Sequence, residues 1–188
     1  MEVEYLDGRK LFVIHNFLAP KECAQLIEHS EQLGYSDAPI TTAAGFVMRK
    51  DIRDNVRVML DDPGLAAQWW ERARELLVKD WLGWQPVGFN ERFRFYRYDV
   101  GQRFERHTDG YFERSTGERS HFTFMVYLNE GFAGGETAFH QSRASLRVTP
   151  ELGKALVFYH RQVHEGMPVI QGRKYVLRTD VMYRHQTS

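Results

Sequence analysis

His121-Phe122-Thr123-Phe124-Met125-Val126-Tyr127-Leu128 is a run of aromatic and aliphatic side chains with no helical spacing, and it reads as a buried strand. More runs of the same texture flank it, separated by Gly, Pro, Asn or Ser. Residues 92–98 and 104–106 lie before it, and 136–139, 145–148, 155–159, 167–170 and 174–183 after it. Eight short strands with no helical pattern between them predict an antiparallel sandwich or barrel rather than a doubly wound parallel sheet. The core should be a jelly roll over about residues 91–184.

Upstream the period changes. Residues 20–33 place Pro20 in a first turn, Ala24, Leu26, Ile27 and Leu33 on one face, and Gly34 past the end, which predicts a helix. Asp61-Asp62-Pro63 opens a second helix, with Leu65, Ala66, Trp69, Ala73, Leu76 and Leu77 at three- and four-residue spacing and Gly83 beyond. The expected architecture is α+β. A helical part, about residues 1–90, packs on one sheet of the core, and residues 1–188 form a single domain.

Composition narrows the function. At 188 residues the chain is long enough for one full core. Lys plus Arg and Asp plus Glu both number 25, and zero net charge argues against a sequence-independent grip on nucleic acid or anionic lipid. Apolar residues at 43% and aromatics at 14% exclude a disordered chain. The longest apolar stretch, 122–128, is far short of the ~20 residues of a membrane span. Met1-Glu2-Val3-Glu4 has neither the basic nor the apolar region of a signal peptide, and Cys23 is the single cysteine. A cytoplasmic protein without a membrane partner is expected; oligomeric state is not legible.

Among eight histidines, His107 stands out because Asp109 follows two residues later. In extended backbone residues i and i+2 face the same way, so imidazole and carboxylate can converge on one ion. A second imidazole, from His160 or His164 after the buried run 155–159, completes two histidines and a carboxylate. That is the facial ligand set of non-haem Fe(II) oxygenases, which leaves positions open for a 2-oxo acid and dioxygen. Pro168 and Gly172 permit a tight return that stands Lys174 on the strand beside the metal-bearing one. Lys174 and Arg178 share a strand face next to apolar Tyr175, Val176 and Leu177, and two such cations are costly to bury without an anion.

Four ordered motifs then carry a resemblance: Tyr98-x-x-Gly101-Gln102-x-Phe104-x-x-His107-x-Asp109, Tyr127-Leu128-Asn129, Gly134-Gly135-Glu136-Thr137, and His164 with Lys174 ten residues on. The chain resembles the prolyl-4-hydroxylase-like branch of the 2-oxoglutarate/Fe(II)-dependent dioxygenases over about residues 92–183. The resemblance implies a double-stranded β-helix (jelly-roll, cupin-like) core, with His107, Asp109 and His164 as iron ligands. It implies Lys174 as anchor for the distal carboxylate of 2-oxoglutarate, Tyr127 as a hydroxyl donor to that carboxylate, and Tyr98 as a wall of the cosubstrate pocket. Arg178 either shares the anchor or orients a carboxylate such as Asp180. Glu136 shapes a turn and is not a ligand. His164 is preferred to His160 because only it keeps the Pro–Gly–Lys spacing.

The implied reaction consumes 2-oxoglutarate and dioxygen, releases succinate and carbon dioxide, and hydroxylates a peptidyl residue such as proline or a small molecule. Ascorbate enters as an optional reductant of oxidised iron, and no protein general base is assigned. The stretch 34–54, with Gly45, Arg49, Lys50 and Arg53, is long enough to be a lid, and 110–120 is a mixed-charge loop; their arginines could meet an acidic group on the substrate, but the charges are expected to be solvated. Two other classes compete. A cupin-like metal protein using His107, His164 and His140 without 2-oxoglutarate leaves Lys174 and Tyr98 without a role. A nucleic-acid dealkylase needs basic surface that the zero net charge does not support.

Overall fold

A computed structural model describes residues 1–42, 45–140 and 145–186. The chain opens with β1 (Glu2–Asp7), β2 (Leu11–His15) and helix α1 (Pro20–Leu33). Next come β3 (Ser36–Asp37), β4 (Ile40–Thr42), β5 (Gly45–Val47), β6 (Val56–Asp61), helix α2 (Pro63–Ala73) and β7 (Trp84–Phe89). The strand-rich half runs through β8 (Arg92–Tyr98), β9 (Phe104–His107), β10 (Arg119–Tyr127), β11 (Ala133–Gly134) and β12 (Thr137–His140). It ends with β13 (Ser145–Val148), β14 (Ala155–Tyr159), β15 (His164–Gly166), β16 (Val169–Gln171) and β17 (Lys174–His185).

The strand pairs are antiparallel throughout, as expected. A major sheet runs β1-β2-β14-β10-β17-β8-β6-β3, with β7 also on β17, and a minor sheet runs β13-β12-β15-β9. Alternation along the central strands divides the interior into two cores. Phe122, Phe124 and Val126 of β10, Val157 of β14 and Leu177 of β17 join one apolar cluster with residues of both helices. Tyr127, Leu156, Phe158 and Val176, one position out of phase, meet Phe139 and Val148 of the minor sheet. The second core holds the two sheets face to face, and the site forms between them.

Both helices start as their first turns dictate. Pro20 needs no N–H partner there, and Glu22 accepts the Ala19 N–H at 2.8 Å. Asp62 caps α2 by accepting the Leu65 N–H at 2.9 Å. Trp69 of α2 is buried, its ring 5.2 Å from Phe17, 5.3 Å from Phe93 and 5.7 Å from Phe124.

Three expectations are corrected. Strands β1, β2, β6 and β7 occupy the stretch expected to be helical. Leu11-Phe12-Val13-Ile14 is a four-residue apolar run buried on both faces, with Phe12 and Ile14 in the first core and Leu11 and Val13 in the second. Helix α2 stops at Ala73, because the chain turns so that Leu77 and Val78 drop into the first core. Finally, the strand expected at 167–170 is β16, at Val169–Gln171 and paired with β11, while His164 lies in β15 of the minor sheet and Lys174 in β17 of the major one. Lys174 therefore faces the metal-bearing strand across the sandwich instead of lying beside it.

Candidate active site

His107 ends β9 and His164 begins β15, and antiparallel pairing sets them directly opposite one another. Their rings come within 4.2 Å, centroid to centroid. Each imidazole is fixed through its outer nitrogen: His107 Nδ1 meets the Glu105 carbonyl at 2.7 Å and His164 Nδ1 the Gln162 carbonyl at 2.9 Å. That locks both Nε2 atoms inward, the usual outer bond of a metal-ligating histidine. They lie 3.8 and 3.9 Å from the two carboxylate oxygens of Asp109. The chain has left β9 by Asp109, whose N–H donates to the His160 carbonyl at 2.9 Å. Among the described residues, His107, Asp109 and His164 form the one such group, with ligand atoms within 4.8 Å of one another.

The charge states suit a divalent cation. Burial and the facing His164 hold His107 neutral, its pKa pushed down to about 3. Burial lowers His164 as well. Burial alone would raise the Asp109 pKa, but Arg178 and the surrounding imidazoles outweigh it and keep the carboxylate ionised. Arg178 Nη1 donates to Asp109 at 2.8 Å, and the Thr123 hydroxyl donates to the other carboxylate oxygen at 2.5 Å. Two neutral imidazoles and one oriented carboxylate, open on one side, fit a ferrous ion in a facial triad.

Next to this group a chamber penetrates between the sheets, lined by Tyr98, Phe104, Met125, Thr137, Phe158 and Val176 among others, with Lys174 in its wall. Lys174 is 2% exposed and makes no ion pair among the described residues. Its ammonium donates to the Gly135 carbonyl at 2.6 Å and lies 5.1 and 5.4 Å from the rings of Tyr98 and Tyr127. Burial pushes its pKa down to about 7, against a small opposing pull from Glu136. The receiving carbonyl depends on Gly134-Gly135, both at positive φ, where a side chain on Gly134 would run into the Pro168 carbonyl.

The remaining residues fall in different places. Tyr98 lines the chamber, burial raising its phenol to about 12. The Tyr127 ring lies beside the Lys174 ammonium, and its hydroxyl shares a 2.7 Å hydrogen bond with Thr137, which lines the chamber. Arg178 bridges Asp109 and Asp180, the second at 3.3 Å, and so orients carboxylates, one of them a candidate ligand. His160 is occupied by Thr123 and Ser120 at 3.0 and 2.9 Å. His140 pairs with Glu165 at 2.9 Å and is outside the metal group, which removes the third ligand of a cupin-like site. Sequence gives Thr123 and Thr137 no role at the site, although both lie in quoted runs. Thr123 sits in phase with Tyr127 on β10, a face that alternation alone would have marked as turned toward the site.

The charged loops differ from expectation at two positions. Arg49 pairs with Asp51 at 2.6 Å and Lys50 with Asp37 at 2.9 Å, both on the surface. In 110–120, Arg114 is bound by Glu91 and Glu118 and Arg119 by Glu113, each at 2.6 Å. Arg53 and Glu118, expected in solvent, are buried.

Comparisons with known proteins agree with this geometry. Residues 93–179 match the family described as the 2OG-Fe(II) oxygenase superfamily. The chain is 25% identical to probable prolyl 4-hydroxylase 3 of Arabidopsis thaliana, over 88% of this chain and 67% of that protein. It is 29% identical to a PKHD-type hydroxylase of Paracoccus denitrificans, over 88% and 74%. It thus spans about two thirds of the length of the plant proteins it matches. A Pseudomonas putida prolyl-4-hydroxylase superposes with a TM-score of 0.69 at 21% identity, covering 94% of each chain. A Trichoplax adhaerens prolyl hydroxylase does so at 0.71 and 19% identity, over 94% of this chain and 84% of that one. The shared fold is the double-stranded β-helix.

Proposed function

We infer that this chain, whose residues 93–179 match the 2OG-Fe(II) oxygenase superfamily, is a member of it and a 2-oxoglutarate-dependent Fe(II) dioxygenase of the prolyl-4-hydroxylase-like branch. It hydroxylates its substrate with release of succinate and carbon dioxide. The observation that carries this is the pairing of two sites: an oriented His107–Asp109–His164 group and, in the adjoining chamber, a buried ammonium that makes no ion pair among the described residues. Residues 1–188 form one domain in this proposal, with α1 and α2 covering one face of the major sheet.

His107, Asp109 and His164 hold the ferrous ion, which when bound supplies the coupling of dioxygen reduction to decarboxylation of the 2-oxo acid. The protein supplies position. Arg178 and Thr123 fix the Asp109 carboxylate from two sides. Lys174 pairs with the distal carboxylate of 2-oxoglutarate, with Tyr98 beside it. Tyr127 acts through Thr137, holding its hydroxyl at the chamber wall. Phe104, Met125, Phe158 and Val176 keep that chamber dry, which strengthens each charge contact inside it. No side chain is assigned as acid or base.

The test is an anaerobic absorbance titration of the protein with Fe(II) and 2-oxoglutarate. The chelate charge-transfer band is expected in the intact protein and absent in His107→Ala and Asp109→Ala variants whose circular dichroism is unchanged. Failure of the intact protein to develop the band would refute the assignment. Succinate release on screening peptides and metabolites then identifies the acceptor.

A further inference from the structure

On the side of the metal group away from Lys174 lies a second cavity of about 500 Å³, walled by Arg53, Arg57, Arg94 and Arg178 and rimmed by exposed Tyr111 and Phe112. Strand register puts the arginines there. Arg178 of β17 pairs with Arg94 of β8, while Arg57 of β6 pairs with Tyr96 of β8, whose ring faces the Arg53 guanidinium at 4.5 Å. The opposing carboxylates in the wall are Asp109 and Asp180. Asp109 belongs to the metal, and Asp180 is shared between Arg94 at 3.2 Å and Arg178 at 3.3 Å.

Arg53 and Arg57 make no ion pair among the described residues. Arg53 is 5% exposed; it is clamped between the rings of Tyr96 and Phe104, with Nε bound to Asn55 and Nη2 left without a hydrogen-bond partner among the described residues. A buried guanidinium with a spare donor is costly unless an anion meets it. A divalent metal and the 2-oxoglutarate dianion cancel each other, so they leave this excess untouched. The field is felt locally: burial would raise the Tyr96 phenol, yet Arg53, Arg178 and Arg94 bring it below its ordinary value.

We propose that the hydroxylated substrate carries an anionic group, a carboxylate or a phosphate, seated on Arg53 and Arg57, with the rest of the molecule against the aromatic rim. This rests on the dioxygenase assignment and narrows its substrate to acids. A neutral residue inside an uncharged peptide would leave both guanidiniums unpaired.

The test uses protein loaded with Mn(II) and 2-oxoglutarate, titrated calorimetrically with inorganic phosphate and with the matched pair N-acetyl-proline and N-acetyl-proline amide. The free acid or phosphate should bind at least tenfold tighter than the amide, and which of the two does so separates the carboxylate from the phosphate source. That advantage should vanish in Arg53→Gln/Arg57→Gln, while 2-oxoglutarate binding, measured in the same samples, stays within about twofold. Equal binding of acid and amide, no binding of either anion, or an advantage that survives the double substitution overturns the proposal. Loss of 2-oxoglutarate binding in the unsubstituted protein overturns instead the assignment on which it rests.

Discussion

Lys174 offers a test in which one buried proton reports on cosubstrate binding. Burial lowers its pKa to about 7, so above neutral pH the ligand-free protein holds it mostly as the uncharged amine. Only the ammonium pairs with a carboxylate, so apparent affinity scales with the charged fraction. That fraction is ~0.9 at about pH 6 and ~0.01 at about pH 9, and the dissociation constant for 2-oxoglutarate should rise about 100-fold between them, ~2.7 kcal/mol. His107 titrates well below this window, so its ring adds no slope. Calorimetry on Mn(II)-loaded protein, in buffers of different ionisation enthalpy, should show nearly one proton taken up per 2-oxoglutarate at about pH 8. Lys174→Arg keeps its charge throughout and should flatten the profile. A flat wild-type profile, or the same slope in the arginine variant, would show that Lys174 is not the anchor.

The same group sets a stability trend in the ligand-free protein. The unfolded chain keeps the Lys174 proton to about 10.5 and the folded one gives it up near 7, so stability from this group should rise with pH across that interval, measurable by urea denaturation. Arg178→Met frees one oxygen of Asp109 and should weaken metal binding by ~10–100-fold in a chelator competition; unchanged affinity would sever Arg178 from the metal group. Trp69→Ala empties the contact between α2 and the major sheet and should cost ~3–5 kcal/mol in denaturant unfolding. Gly134→Ala forces a side chain at positive φ against the Pro168 carbonyl. It should cost ~1–3 kcal/mol and displace the Gly135 carbonyl, so that 2-oxoglutarate affinity falls while metal affinity holds.

What the sequence made legible was set by local period and spacing. Strands β8, β13 and β14 and helix α1 begin and end where apolar pattern, Pro20 and Gly34 put them. The metal group could be read because its members sit in short motifs, two of them two residues apart. Strand β2 could not, since four apolar residues carry no period and its partner β14 lies some 140 residues along the chain. The hydrogen-bond partner of Tyr127 was hidden for a related reason: spacing brings a tyrosine near Lys174, but only packing shows that its hydroxyl meets Thr137.

Arg53 shows where local reading ends. Arg49, Lys50 and Arg53 are three cations in five residues, and nothing in the run distinguishes the third. The first two find carboxylates on the surface at Asp51 and Asp37. Arg53 is separated from them by a backbone bridge to Phe104, which brings its guanidinium over the Phe104 ring at 4.4 Å and under the roof of Tyr96. Phe104 in turn stacks on His107 at 3.6 Å. One β-bridge thus couples Arg53 to the ring that stacks on a candidate metal ligand. Anion binding at Arg53 and the geometry of His107 share a wall, and a substitution at Phe104 should disturb both.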